Sequence, residues 1–139
     1  MIKGFSIRQP WAWTIAAGLS RIDNRTWKPS YRGPLAIHAS RMIETSAFPI
    51  VERLSGKAVP WNLATGAIIA VARLADVLEV STDPWFTGPY GWLFDHVVPI
   101  PPIACIGHQH SLFPLSADIA NAVLRAWWRH PSVKRPRVS

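Results

Sequence analysis

A single cysteine, Cys105, stands in 139 residues, so no internal disulfide framework can hold this fold, a usage that suits a reducing cytoplasm. No apolar run reaches the roughly 18 to 20 residues needed to span a bilayer, so no membrane partner is expected. The opening residues, MIKGFSIRQPW, lack a long apolar stretch followed by a small-residue cleavage site and do not read as a secretion signal. The expected location is cytoplasmic. No internal repeat or low-complexity linker interrupts the chain, so residues 1–130 are expected to form one domain, long enough to bury a real core, with 131–139 as a basic tail. A Gly-rich phosphate cradle, a Ser-His-Asp spacing and a pair of carboxylates in one cleft are all missing, which leaves the common hydrolytic and nucleotide-triphosphate sites without a foothold.

Thirteen prolines and eight glycines imply many short turns, more like a small barrel than a helical bundle. Carboxylates are scarce, and the net charge of +7 is unevenly spread. Residues 1–59 carry nine Lys and Arg against three Asp and Glu, residues 60–118 one against five, and residues 119–139 five against none. Basic ends around an acidic middle point to a partner bearing negative charge on one side of the molecule, most simply nucleic acid.

Along the chain, Ile2 to Arg8 reads as a strand with Phe5 and Ile7 in the core. Pro10 suits the first position of a short helix in which Trp11 and Ile15 share a face, and Gly18 is a natural stop able to take the left-handed conformation. Residues 20–27 alternate as a strand, with Arg21, Asp23, Arg25 and Trp27 on one side and Ile22, Asn24 and Thr26 on the other. Pro34 to Ser40 gives another strand, with Leu35, Ile37 and Ala39 inward and His38 and Ser40 opposite. A helix is expected at about 42–54, then a loop anchored by Trp61. Gly66 to Val80 reads as a long strand bent near Arg73 and Asp76. Strands are expected at 91–98, 102–107 and near 111–115, and Ser116 caps a closing helix with Ile119, Val123 and Trp127 as its apolar stripe. The sum is an α+β fold: a small, mostly antiparallel β-barrel flanked by two or three helices.

The stretch Gln9 to Gly33 (QPWAWTIAAGLSRIDNRTWKPSYRG) concentrates charges of both signs among tryptophans. Its part from Gln9 to Trp27, together with YRGPLAIHAS at 31–40, GAIIAVA at 66–72, WFTGPYGW at 85–92 and PIACIG at 102–107, resembles the ASCH (activating-signal-cointegrator homology) domain over about residues 3–115. The resemblance implies a PUA-like, YTH-like barrel with a cleft beside the first helix, and a superfamily in which many relatives bind RNA or modified nucleosides. The family hallmark G-x-K-x-x-E-x-R falls on Gly18 to Arg25. Gly18 and Arg25 match, Asp23 stands for the glutamate, and Ser20 replaces the lysine. Some members are amidohydrolases of N4-acetylated cytidine and others ribonucleases. A serine cannot act as a desolvated lysine base, and the guanidinium of Arg21 does not lose its proton. The late G-x-x-G-L-[FW] pattern is altered too, with His110 at its second glycine. Both departures bear on catalysis more than on fold.

These residues define the candidate site. Ser20, Asp23, Arg25, Trp27, Trp11 and Tyr31 are expected to hold a nucleotide: Asp and Arg match a base edge or a phosphate, and the aromatic rings offer stacking. Trp85, Tyr90 and Trp92 are further stacking candidates. Arg8, Arg21, Lys28, Arg32 and Arg41 are expected at phosphates. Cys105, His108 and His110 do not follow a familiar metal spacing, so neither metal nor cofactor is expected, and Cys105 reads as a core thiol. His38 reads as a hydrogen-bonded structural histidine. The expected function is binding of single-stranded RNA or a nucleotide, by a monomer. A hydrolase of RNA or an N-acylated nucleoside, with Ser20 and Asp23 as the only catalytic candidates, and a protein-interaction domain using the 85–92 loop stand as alternatives.

Overall fold

A computed structural model describes residues 2–134. In chain order it contains β1 (Lys3–Gln9), α1 (Trp11–Ala16), β2 (Ile22–Arg25), β3 (Gly33–Ile43), a single 3-10 turn leading into α2 (Phe48–Ser55), β4 (Ala67–Leu78), β5 (Tyr90–Ala104), β6 (Phe113–Pro114) and α3 (Ala117–Arg129). The strands form one six-stranded sheet in the order β2-β5-β4-β3-β1-β6, antiparallel except for the β1–β3 pair. Residues 135–139 of the expected tail lie outside the described residues.

The α+β class agrees with expectation, but the barrel does not close. The edges are β2, four residues long, and β6, two residues long, and the strand order does not return on itself. Instead α1 lies within the curve of the sheet, touching β1 through β5. There Ala12 and Ile15 join Phe5, Ile7, Leu35, Ile37, Trp92 and Phe94 in the larger core. A second core on the opposite side of the sheet gathers Ala36, Ile68, Val71, Val98 and Phe113 under Ala120 and Val123 of α3. Ser116 caps that helix, its Oγ accepting from the Ile119 N–H at 3.3 Å.

Several expectations give way to this two-sided packing. β3 is buried from Leu35 through Ser40 rather than on alternate residues, because α1 covers one face and the second core the other. It runs on to Ile43, displacing the start of the expected helix to Phe48. The two strands expected across 91–107 are one strand, β5, which passes through Pro99, Pro101 and Pro102 where its register with β4 slips. The bend expected in β4 is present: register shifts flank Arg73 and Asp76, and His96 on the facing strand takes φ 50°. Trp61 anchors nothing, being 95% exposed. The loop is tied instead by the Ala64 carbonyl, which accepts from Gln9 Nε2 at 2.8 Å.

Candidate nucleotide site

The site begins with Gln9, at the end of β1 and fully buried. Its Oε1 accepts from the Trp13 N–H at 2.9 Å, supplying an otherwise orphaned donor in the first turn of α1. Its backbone carbonyl accepts from the Glu44 N–H at 2.7 Å. One residue thus fixes the start of α1 and the 64 loop through its side chain, and the segment that follows β3 through its backbone. Glu44 then reaches Trp11, whose Nε1 donates to Oε2 at 3.3 Å, and faces Arg8 at 3.9 Å. Gly18 ends the helical turn at φ 73°, as its sequence position suggests.

From there the chain enters β2, where Asp23 and Arg25 pair at 2.6 Å. The Arg25 guanidinium also donates through Nη2 to the Ser6 carbonyl at 2.6 Å and lies 4.4 Å from the centre of the Phe5 ring. It is held on three sides, with 19% of its side chain still exposed. Burial raises the Asp23 pKa above its ordinary value, and the charge and hydrogen bond of Arg25 oppose the shift. Beside this pair, Trp27 packs edge-on against the buried Trp92, ring centres 4.8 Å apart, and Trp92 in turn stacks on Phe5 at 4.3 Å.

Between α1, β2 and β1 opens a hollow of about 370 Å³, within the usual range for small-molecule sites. Trp11, Trp27, Arg8, Asp23 and Arg25 line it, joined by residues that sequence reasoning did not foresee: Ser40, Glu44, Gln109 and His110. Those four come from the end of β3, the segment after it and the loop before β6, and only the sheet order brings them here. The alternation of β3, which set Ser40 opposite its apolar face, was the one available signal.

The other candidates lie elsewhere. Ser20 is 3% exposed, and its hydroxyl accepts from the Ile22 N–H and donates to the Ile22 carbonyl, both at 3.1 Å, closing a turn on itself. Tyr31 donates to the Pro34 carbonyl at 2.6 Å on another part of the surface. Lys28 faces Glu79 at 3.8 Å, and Arg32 faces Asp76 at 3.9 Å while donating to the Pro29 and Tyr31 carbonyls. Arg21 is exposed outside the hollow. Arg41 lines an adjoining pocket with His38 and Cys105. Trp92 is core, and Trp85, Phe86 and Tyr90 are half-buried, not an exposed patch.

Cys105 packs against the second core, His108 stacks on Phe113 with ring centres 5.2 Å apart, and His110 lines the hollow. No group of three His, Cys, Asp or Glu side chains among the described residues is arranged to hold a metal ion. His38 is buried between Ser6 Oγ at 2.9 Å and the Cys105 carbonyl at 2.7 Å. A carbonyl only accepts, so Nε2 carries the proton and Nδ1 accepts from the serine. Gly107 passes so close that a Cβ there would collide with both side chains. Burial lowers the His38 pKa, the Cys105 hydrogen bond opposes this and the charge of Arg41 adds to it.

The unfolded chain therefore takes up this proton first. Stability is full above about pH 6.5 and is lost as pH falls through the depressed folded value. Urea midpoints between about pH 7.5 and about pH 5 should fall more in the wild type than in His38→Gln. The glutamine keeps one donor and one acceptor but does not titrate, and taking the difference cancels the contribution of Asp23. Parallel pH curves for the two proteins would show that His38 is not responsible.

A profile of the ASCH domain matches residues 5–87, and the chain belongs to the ASCH domain family. The crystal structure of ASCH from Zymomonas mobilis superposes with a TM-score of 0.55 at 15% identity, covering 88% of this chain and 93% of that one. A tyrosine-to-phenylalanine mutant of the same Zymomonas mobilis protein gives 0.55 and 15%, covering 88% and 96%. At that identity the likeness is one of fold. No curated protein matches the chain. No helix among the described residues is long and apolar enough to cross a membrane.

Proposed function

We propose that this protein is a binding module for single-stranded RNA or a nucleotide, which it takes into the hollow between α1 and the sheet. The observation that carries this reading is the meeting of two indoles, two guanidiniums and two carboxylates, Asp23 and Glu44, on one opening of about 370 Å³, a carboxylate pair that the sequence did not suggest. The indoles of Trp11 and Trp27 supply apolar faces for a base, and stacking on an aromatic ring is worth roughly 1–3 kcal/mol. Asp23, with Ser40 and Gln109, offers acceptors and donors to a base edge. Arg8, 50% exposed at its side chain and only loosely paired with Glu44, is free to turn to a phosphate.

Membership of the ASCH family supports a module of RNA-binding or hydrolase type. Within that range the residues favour binding. A hydrolase at this hollow needs a group that gives and takes a proton beside the scissile bond. Ser20 is closed on its own backbone; of the acid-base groups that line the hollow, Asp23 is paired with Arg25 and Glu44 is held by Trp11 and Arg8, which leaves His110 as the group a hydrolase would use.

The test is titration of a short oligouridylate at rising salt. Affinity should fall between about 50 and 200 mM salt, as counterions are released from neutralised phosphates. Arg8→Ala should weaken binding for every sequence alike and reduce the salt slope by about one. Absence of binding at low salt would remove the proposal.

A further inference from the structure

On the far side of Trp11 lies a second groove, about 410 Å³ in volume. It shares Trp11, Asp23 and Asn24 with the first hollow, so these three residues form a partition between neighbouring compartments. The two compartments differ in chemistry. The first presents Arg8, Arg25, Ser40 and Gln109; the second is walled by Ile50 and Leu54 of α2 and by Pro84 and Trp85, with Arg53 as its one cation. We infer that this groove takes the second nucleotide of a single-stranded RNA chain, its base stacked against Trp85 and its phosphate met by Arg53. The inference rests on the binding function proposed above and gives that site a length.

The wall carrying Trp85 is built before any ligand arrives. Asn24 Nδ2 donates to the Trp85 carbonyl at 2.9 Å, and Asn24 Oδ1 accepts from the Thr87 and Gly88 N–H groups at 2.9 and 3.0 Å. A single amide on β2 therefore fixes the 85–88 loop in register with the partition, so little ordering cost remains for binding. Arg53 is exposed near the end of α2 and has no ion-pair partner among the described residues. Lys28 and Arg32, by contrast, face Glu79 and Asp76. Apolar walls with one cation at the rim suit the flat face of a base and its phosphate, and few groups in this groove can read a base edge. The second position should accept any base, while the first, richer in donors and acceptors, carries the discrimination. With Asp23 neutralised by Arg25 at 2.6 Å, the partition repels a passing phosphate only weakly.

The experiment compares uridine 5′-monophosphate with the dinucleotide pUpU by calorimetric titration of the full chain. It uses the wild type, Trp85→Ala and, as the variant least able to disturb folding, Arg53→Gln. In the wild type pUpU should bind at least about fivefold more tightly than the monophosphate, the lower end of one added stacking contact. Trp85→Ala should abolish that gain and Arg53→Gln should reduce it, both leaving monophosphate affinity within about twofold. Equal affinities for the two ligands in the wild type would overturn the second position and leave the first standing. So would a gain that persists in both variants, since it would place the added nucleotide elsewhere. Failure of the monophosphate and the dinucleotide alike would remove the nucleotide reading itself.

Discussion

Arg25→Ala should lower stability by about 3 kcal/mol and weaken nucleotide binding at least about tenfold. The guanidinium is the buried partner of Asp23, the donor to the Ser6 carbonyl and the cation above the Phe5 ring. Removing it leaves Asp23, 9% exposed at its side chain, as an uncompensated carboxylate in the interior. For a domain of this size the melting temperature should fall by roughly 10 °C. The sign of the pH dependence identifies the cause. Burial already raises the Asp23 pKa against the pull of Arg25, and without the arginine it rises further above its unfolded value. The variant should therefore recover toward wild-type stability as pH is lowered and Asp23 takes up a proton, and lose it again as pH rises through the folded pKa. Adding Asp23→Asn should recover much of the loss at neutral pH. A deficit that is independent of pH and unaffected by the second substitution would mean that Arg25 acts through packing alone.

Trp27→Ala should reduce affinity for single-stranded RNA by a factor between about 5 and 150, the range expected for one lost stacking contact. The fold should persist. The bond that ties Trp92 to this position runs from its Nε1 to the Trp27 carbonyl at 3.1 Å, a backbone group that the substitution retains. Trp27→Phe should keep most of the affinity, since a ring face remains. Equilibrium titration at one fixed salt concentration, with circular dichroism as the control for folding, decides the matter. Unchanged affinity in a folded Trp27→Ala protein would detach the indole from ligand binding.

The parts legible in the sequence are those in which chemistry is local. Phe5 and Ile7 are buried at 1% each, in line with their place as the apolar residues of β1. Gly18 takes the left-handed conformation and Ser116 caps α3 because each responds to its immediate neighbours. Asp23 and Arg25, two residues apart on one strand face, meet as that spacing allows. What alternation could not disclose was how many layers would cover a strand. β3 looked amphipathic, yet His38 is buried edge-on to Phe113 of the second core, and Ser40 is buried beside the hollow. The open edges of the sheet were hidden for a similar reason: strand number can be guessed from turns, but closure depends on whether the end strands are long enough to pair. The hollow was half legible. Its residues from the Gln9–Gly33 stretch could be read, whereas Glu44, Gln109 and His110 arrive through topology alone. Gln9 was passed over because a glutamine beside a proline carries no signal until its three partners are seen together.

The turn at Ser20 has a consequence for how this chain can change. Its hydroxyl saturates the donor and the acceptor of one residue, Ile22, and sits at 3% exposure at the entrance to β2. A longer side chain ending in an amine would first have to leave that closed loop, orphaning both main-chain groups, and then find a route out of the interior for its charge. A change from Ser20 to lysine is thus uphill at its first step, and neighbouring backbone would have to shift before such a group could face solvent.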